Sequence, residues 1–184
     1  MSPSTAQSPD STSELRNDHT ERTSPANGEA GFVASDRLVA NLQKVVVDLI
    51  ELHLQAKQAH WNVVGMGFRS IHLHLDEVAD EARGFSDTVA ERMRALQATP
   101  DGRSDTVAAT TTLHIYPAGE QSTADTADLM ARRLDRVVRT LRSVHDAVDA
   151  EDPTSTDILH TIIEALDKHA WMISAETRSP MPFI

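Results

Sequence analysis

Apolar residues recur every three or four positions through four long stretches of this chain, the pattern of amphipathic helices. In the first stretch Leu38, Leu42, Val45, Leu49, Leu52 and Ala56 share a face, which predicts a helix over 35–63 with Ser35 or Asp36 as its N-cap. In the second, Ile71, Leu75, Val78, Ala82, Phe85, Val89, Met93 and Leu96 predict a helix over 69–97. No proline falls between Pro25 and Pro100, so both helices run unobstructed, and Gly65 and Gly67 separate them. Gly65 suits a left-handed helix exit. Met130, Leu134, Val137, Leu141, Val144 and Val148 predict a third helix over 123–149. After Pro153, Leu159, Ile162, Ile163, Leu166, Ala170 and Ile173 predict a fourth over 154–175.

Residues 98–121 contain Pro100, Gly102, Pro117 and Gly119 and are too many for an ordinary turn. At ~3.3 Å per extended residue they readily cross the ~40 Å length of a bundle. The expected architecture is therefore all-α: a four-helix bundle with a long crossover between its second and third helices, carrying a short helix over 104–113. Residues 32–184 form this one domain. Residues 1–31 do not belong to it. They are rich in Ser, Thr, Pro and Asn, Leu15 is the only large aliphatic after Met1, and the composition is that of a disordered tail. Asp10, Glu14, Asp18, Glu21 and Glu29 outweigh Arg16 and Arg22, so the tail is acidic.

The whole chain carries a formal net charge of -11, which draws cations and repels nucleic-acid phosphate. There is no cysteine, in keeping with a reducing cytosol, and a cytoplasmic location is expected. No apolar run reaches the ~18 residues of a membrane span, and the N-terminus has no apolar signal core.

The candidate chemistry lies at the junction of the first two helices. His72 and Asp76 are four residues apart, as are Asp87 and Glu91, and on a helix each pair stacks on one face. At ~100° per residue all four fall in a sector of roughly 100°. Asp76 and Asp87, however, are separated by about 16 Å along the axis at ~1.5 Å per residue, too far for one metal ion. Each pair is half of a site. Two copies packed antiparallel about a twofold axis would bring the halves together twice, with His60 adding a nitrogen. Two imidazoles and three carboxylates suit an open, iron-type site better than a closed zinc site.

The run His60-Trp61-Asn62-Val63-x-Gly65-x-x-Phe68, then His72-x-x-x-Asp76, then Asp87-x-x-x-Glu91-Arg92, resembles the signature of the Dps family, the miniferritins. Asp167-Lys168-His169-x-Trp171-Met172 is similar to that family's last helix, and the resemblance spans roughly 35–177. It implies a ferritin-like bundle assembled as a hollow dodecamer that stores iron and protects against its chemistry. It also implies ferroxidase activity on Fe(II), with hydrogen peroxide as oxidant, at a di-iron site shared by two subunits. The ligands it implies are His60, His72, Asp76, Asp87 and Glu91, with Trp61 placed to trap stray oxidising equivalents. The Glu-x-x-His motif of intra-bundle di-iron sites occurs nowhere in the chain.

In the same family, acids near the junction of the last two helices line channels that admit iron. Here those acids are Asp146, Asp149, Glu151, Asp152 and Asp157, and Asp157 is expected in the first turn of the last helix. Some members bind DNA through a lysine-rich tail. This tail has no lysine, and the acidic balance disfavours a nucleoid-compacting role as the chief task. Arg132, Arg136 and Arg139 form a basic stripe, read as a solvated or salt-bridged face with a DNA-facing patch as the alternative. His53 and His114 read as surface groups, and His74, offset from the His72 stripe by ~200°, is left out of the ligand set.

Overall fold

The computed structural model describes residues 31–180. The expected tail therefore lies outside the described residues except for Gly31, as do the last four residues of the expected domain. Four long helices form the bundle: α1 (Asp36–Asn62), α2 (Phe68–Ala95), α4 (Thr123–Asp149) and α5 (Pro153–Ala175). A short α3 (Ser104–Thr110) interrupts the crossover. Two residues of β1 (Val63–Val64) pair in parallel with two of β2 (Gln121–Ser122). That pairing pins the end of the crossover beside the end of α1, so α4 starts where α1 stops. α2 and α4 then run in one direction and α1 and α5 in the other, the order in which a long crossover joins two helical hairpins.

The core is built from the predicted stripes. All six residues named for α1 are buried, as are the six named for α4. On α2 only Phe85 is partly exposed, and it still packs against the core. Ser35 caps α1, its hydroxyl accepting from the Leu38 amide at 3.1 Å. Gly65 does take a positive φ of 117°, but as part of a connection. α1 has already ended, and Gly67, at φ 79°, precedes α2.

Buried polar groups clamp the crossover, and none of them was legible as such. Asp48, fully buried in α1, accepts from the Thr112 amide at 2.7 Å and from the hydroxyls of Thr111, Thr112 and Thr140 at 3.0, 2.6 and 2.7 Å. Those bonds need Thr111 and Thr112 in non-helical backbone, which is why α3 stops at Thr110 instead of reaching residue 113. Arg133 on α4 donates to Gln55, to the Leu129 carbonyl at 3.0 Å and to the Ile115 carbonyl at 3.2 Å, and lies 4.9 Å from the Tyr116 ring centroid. Burial lowers the pKa of this guanidinium from its ordinary value.

Candidate metal centre

The end of α1 and the start of α2 place His60 and His72 face to face, their rings stacked at 3.7 Å with 22° between planes. Each ring bonds the other's backbone: His60 Nδ1 lies 2.9 Å from the His72 carbonyl oxygen, and His72 Nδ1 lies 2.9 Å from the His60 carbonyl oxygen. A carbonyl can only accept, so each Nδ1 carries the proton. In the neutral ring each Nε2 is then left with a lone pair, the state a metal ligand requires. Asp76 joins them, with Oδ1 3.8 Å from His60 Nδ1.

One member of this group was missed in the sequence. Lys57, one turn before Trp61, places its Nζ 2.6 Å from Asp76 Oδ1 and 5.8 Å from the Trp61 ring centroid. The Lys57 hydrogen bond, ahead of the charges of the histidines and of Lys57 itself, holds the half-buried Asp76 carboxyl below its usual range. Trp61 is 68% exposed, and Leu54, Val64, Met66, Phe68 and Leu73, on α1, α2 and the connection between them, are exposed as well.

Asp87 and Glu91 are not brought to this group. They lie further along α2, exposed, and neither makes an ion pair with another described residue. Among the described residues no three His, Cys, Asp or Glu side chains of one chain are arranged to hold a metal ion.

The junction acids fall into two classes. Asp152 is buried against Arg92, with Nη2–Oδ1 2.8 Å and Nε–Oδ2 3.2 Å. Burial would raise its pKa, but the Arg92 and Ser155 hydrogen bonds outweigh burial and the net shift is downward. Glu151 accepts from the Ser35 amide at 2.8 Å and hydroxyl at 2.7 Å, which lowers its pKa and ties the start of α1 to the α4–α5 turn. Asp146, Asp149 and Asp157 keep exposed carboxylates. Asp157 is the fifth residue of α5, beyond the first turn where it was expected, because the helix begins at Pro153.

Arg132 and Arg139 pair with Asp128 and Asp135 one turn back, at 2.8 and 2.9 Å, so two of the three arginines of the basic stripe are salt-bridged within their own helix. His53 is half-buried, with Nδ1 2.9 Å from the Ala79 carbonyl oxygen. His74 is buried against α5, its Nε2 2.9 Å from His169 Nδ1, while His169 Nε2 lies 3.1 Å from Glu81. Burial first and His169 second lower the His74 pKa, against the charges of Glu77 and Glu176. The signal for this pair was the same ~200° offset that took His74 off the metal face: it points to the opposite side of α2.

The profile of the ferritin family, the ferritin-like domain, matches residues 39–179. Among curated proteins, a DNA protection during starvation protein of Agrobacterium fabrum is 32% identical over 79% of this chain and 90% of its own length. The chain belongs to the Dps family. A second such protein, from Deinococcus radiodurans, is 31% identical over 83% of this chain and 62% of its own. The fine tangled pili major subunit of Haemophilus ducreyi is 37% identical over 78% of this chain and 76% of its own. Among solved structures, Dps92 from Deinococcus radiodurans superposes with a TM-score of 0.75 at 30% identity, covering 78% of this chain and 88% of that one. Dps from Microbacterium arborescens in its high iron form superposes at 0.72 with 34% identity, over 79% and 97% of the two chains. Dps membership carries with it iron storage and protection as the role of the fold.

Proposed function

We propose that this Dps protein is a ferroxidase whose catalytic sites lie between subunits of a hollow dodecamer built from dimers. His60, His72 and Asp76 of one subunit, with Asp87 and Glu91 of the partner subunit, receive two ferrous ions as substrate. The observation that carries this reading is the reciprocal pair of Nδ1–H···O=C bonds, which fixes both imidazoles with Nε2 lone pairs free for iron. The carboxylates stabilise the extra positive charge as iron is oxidised. Two ferrous ions together supply the two electrons that reduce hydrogen peroxide to water, so no single-electron product is released. Trp61, beside the ligands, is placed to take up oxidising equivalents that escape this pairing. Ferric mineral then accumulates in the shell. The exposed apolar side chains on α1, α2 and the connection between them, Trp61 included, are the surface a second copy would cover.

Asp146, Asp149 and Asp157 are the acids available to line a channel that admits iron, and Glu151 and Asp152 are held by Ser35 and Arg92. A cytoplasmic site of action accords with the absence of cysteine, and no helix among the described residues is long and apolar enough to cross a membrane. DNA compaction as the chief task has less support, since the chain is acidic overall and Arg132 and Arg139 of the arginine stripe pair with acids of their own helix.

The test mixes dissociated Asp87→Ala/Glu91→Ala subunits with His72→Ala/Asp76→Ala subunits and measures ferrous oxidation after reassembly. A mixed dimer has one intact site and one doubly damaged site, so activity should return in part. Shells shown by mass to be mixed, yet inactive, would end the shared-site reading.

A further inference from the structure

At the other end of the bundle from His60 and His72, two more histidines converge. His145, in the last turns of α4, and His160, in the second turn of α5, bring their Nε2 atoms to 2.8 Å. Each ring has a carboxylate behind it: His145 Nδ1 is 2.9 Å from Asp146, and His160 Nδ1 is 3.8 Å from Asp157. We infer that His145 and His160 form a chelating site for a borderline divalent transition-metal ion of the Zn(II) or Cu(II) type, separate from the iron-oxidising ligands.

Three observations converge on this. First, Asp146 accepts from His145 Nδ1, so that ring's Nε2 presents a lone pair toward His160. Without a metal, the His160 Nε2 proton fills the gap. With one, that proton moves to His160 Nδ1, which faces Asp157, and both Nε2 lone pairs reach the ion with no net proton release. Second, the separation fits. Donors on an ion at ~2.0–2.1 Å lie about 2.9–3.4 Å apart for angles between a right angle and the tetrahedral value, a small opening from the distance found. Third, the groove is open and its charge favours a cation. It is lined by Arg142, His145, His160, Ile163 and Glu164, and its one cationic side chain is already bound, Arg142 donating to Asp167 at 2.9 Å.

A carboxylate hydrogen-bonded behind a ligating imidazole, as Asp146 is behind His145, is how metal-binding histidines are oriented and made more basic. Among the described residues no third protein donor joins the pair, so solvent completes the coordination. Imidazole donors favour Zn(II) and Cu(II) over Fe(II) in the usual order of affinity, so this site selects against the ion the shell stores. The inference stands without the ferroxidase reading.

The experiment loads the assembled full-length protein with Zn(II), removes excess by dialysis against a weak chelator, and counts metal per chain. His145→Gln and His160→Gln should each bind one zinc fewer per chain than wild type, with any zinc at other sites unchanged. Asp146→Asn should keep the site but weaken it about tenfold, the effect of losing an outer partner. A second readout uses wild type alone: histidine acylation by diethyl pyrocarbonate, mapped by mass spectrometry, with and without Zn(II). His145 and His160 should be modified in the free protein and protected by zinc. Equal zinc counts in wild type and variants, or acylation of both histidines undiminished by zinc, would overturn the proposal.

Discussion

The two ends of α2 carry the two halves of the proposed site, and they are built differently. At the histidine end every ligand is engaged: His60 and His72 hold each other's carbonyls, and Asp76 holds Lys57. At the acid end Asp87 and Glu91 point outward without ion pairs, although Arg92, next to Glu91, is locked to Asp152. The histidine end is oriented by its own chain. The acid end has only a rigid helix beneath it, and in the proposed site a second copy completes it. A site divided this way separates ligand orientation from ligand supply, and the two can be disturbed independently.

The largest effects should come from removing one ligand at each end. His72→Ala and Glu91→Ala should both slow ferrous oxidation by at least the ~100-fold that even an outer-shell loss can cost. They should differ in stability. His72→Ala removes the donor to the His60 carbonyl and the ring stack, about 1 kcal/mol, or about 2–4 °C in the thermal midpoint. Glu91→Ala should stay within about 0.5 kcal/mol of wild type, as an exposed substitution does. A matching stability loss at Glu91 would erase the contrast between the ends.

Next in size is Asp152→Ala, which strips Arg92 of its buried counter-charge. About 3 kcal/mol of destabilisation is expected by chemical denaturation. Because the Asp152 pKa is lowered in the fold, the contribution of this carboxylate is present above its unfolded pKa and fades as pH falls through the folded one. The stability gap between wild type and mutant should therefore close below about pH 4. A gap that persists into strong acid would mean the pair is not what holds the α4–α5 turn.

The smallest effect belongs to Lys57→Met. Lys57 holds the Asp76 carboxyl below its usual range, so it keeps that ligand ionised into more acidic solution. Without Lys57 the acid limb of the rate profile should move to higher pH. At neutral pH the rate should hold or rise, since no ammonium competes with iron. An acid limb that does not move would show that Asp76 does not control it.

The helices were legible in the sequence because their cues are local. The three-four rhythm, Ser35, Pro153 and the glycine break place all four long helices within two residues of expectation, and α4 runs Thr123–Asp149 as expected. The placement of His72/Asp76 and Asp87/Glu91 was also legible, since each pair is a set of helix neighbours and α2 carries both. What stayed hidden is the polar traffic between elements. Asp48 meets Thr112 and Thr140 across 64 and 92 residues, and His74 meets His169 across 95. Asp152 and Glu151 looked like free acids beside Asp157, yet Arg92 and Ser35, from helices far away in sequence, already hold them. No spacing rule reveals a partner at such distances; only the packed bundle does.

The clamped crossover divides into a bound part and a loose corner. Asp48 and Arg133 fasten the chain as far as Ile115 and Tyr116, and β2 fastens it again from Gln121. Between these fixed points Ala118, Gly119 and Glu120 are exposed, Gly119 sits at φ 81°, and a Cβ there would meet nothing within 4 Å. For protein engineering this is a graft point. Extra sequence inserted at Ala118–Gly119 lengthens a loop whose ends are already held, and each doubling of that loop costs only about 0.6 kcal/mol. A peptide carried there would be displayed once on every chain, at the end of the bundle where α1 stops and α4 starts.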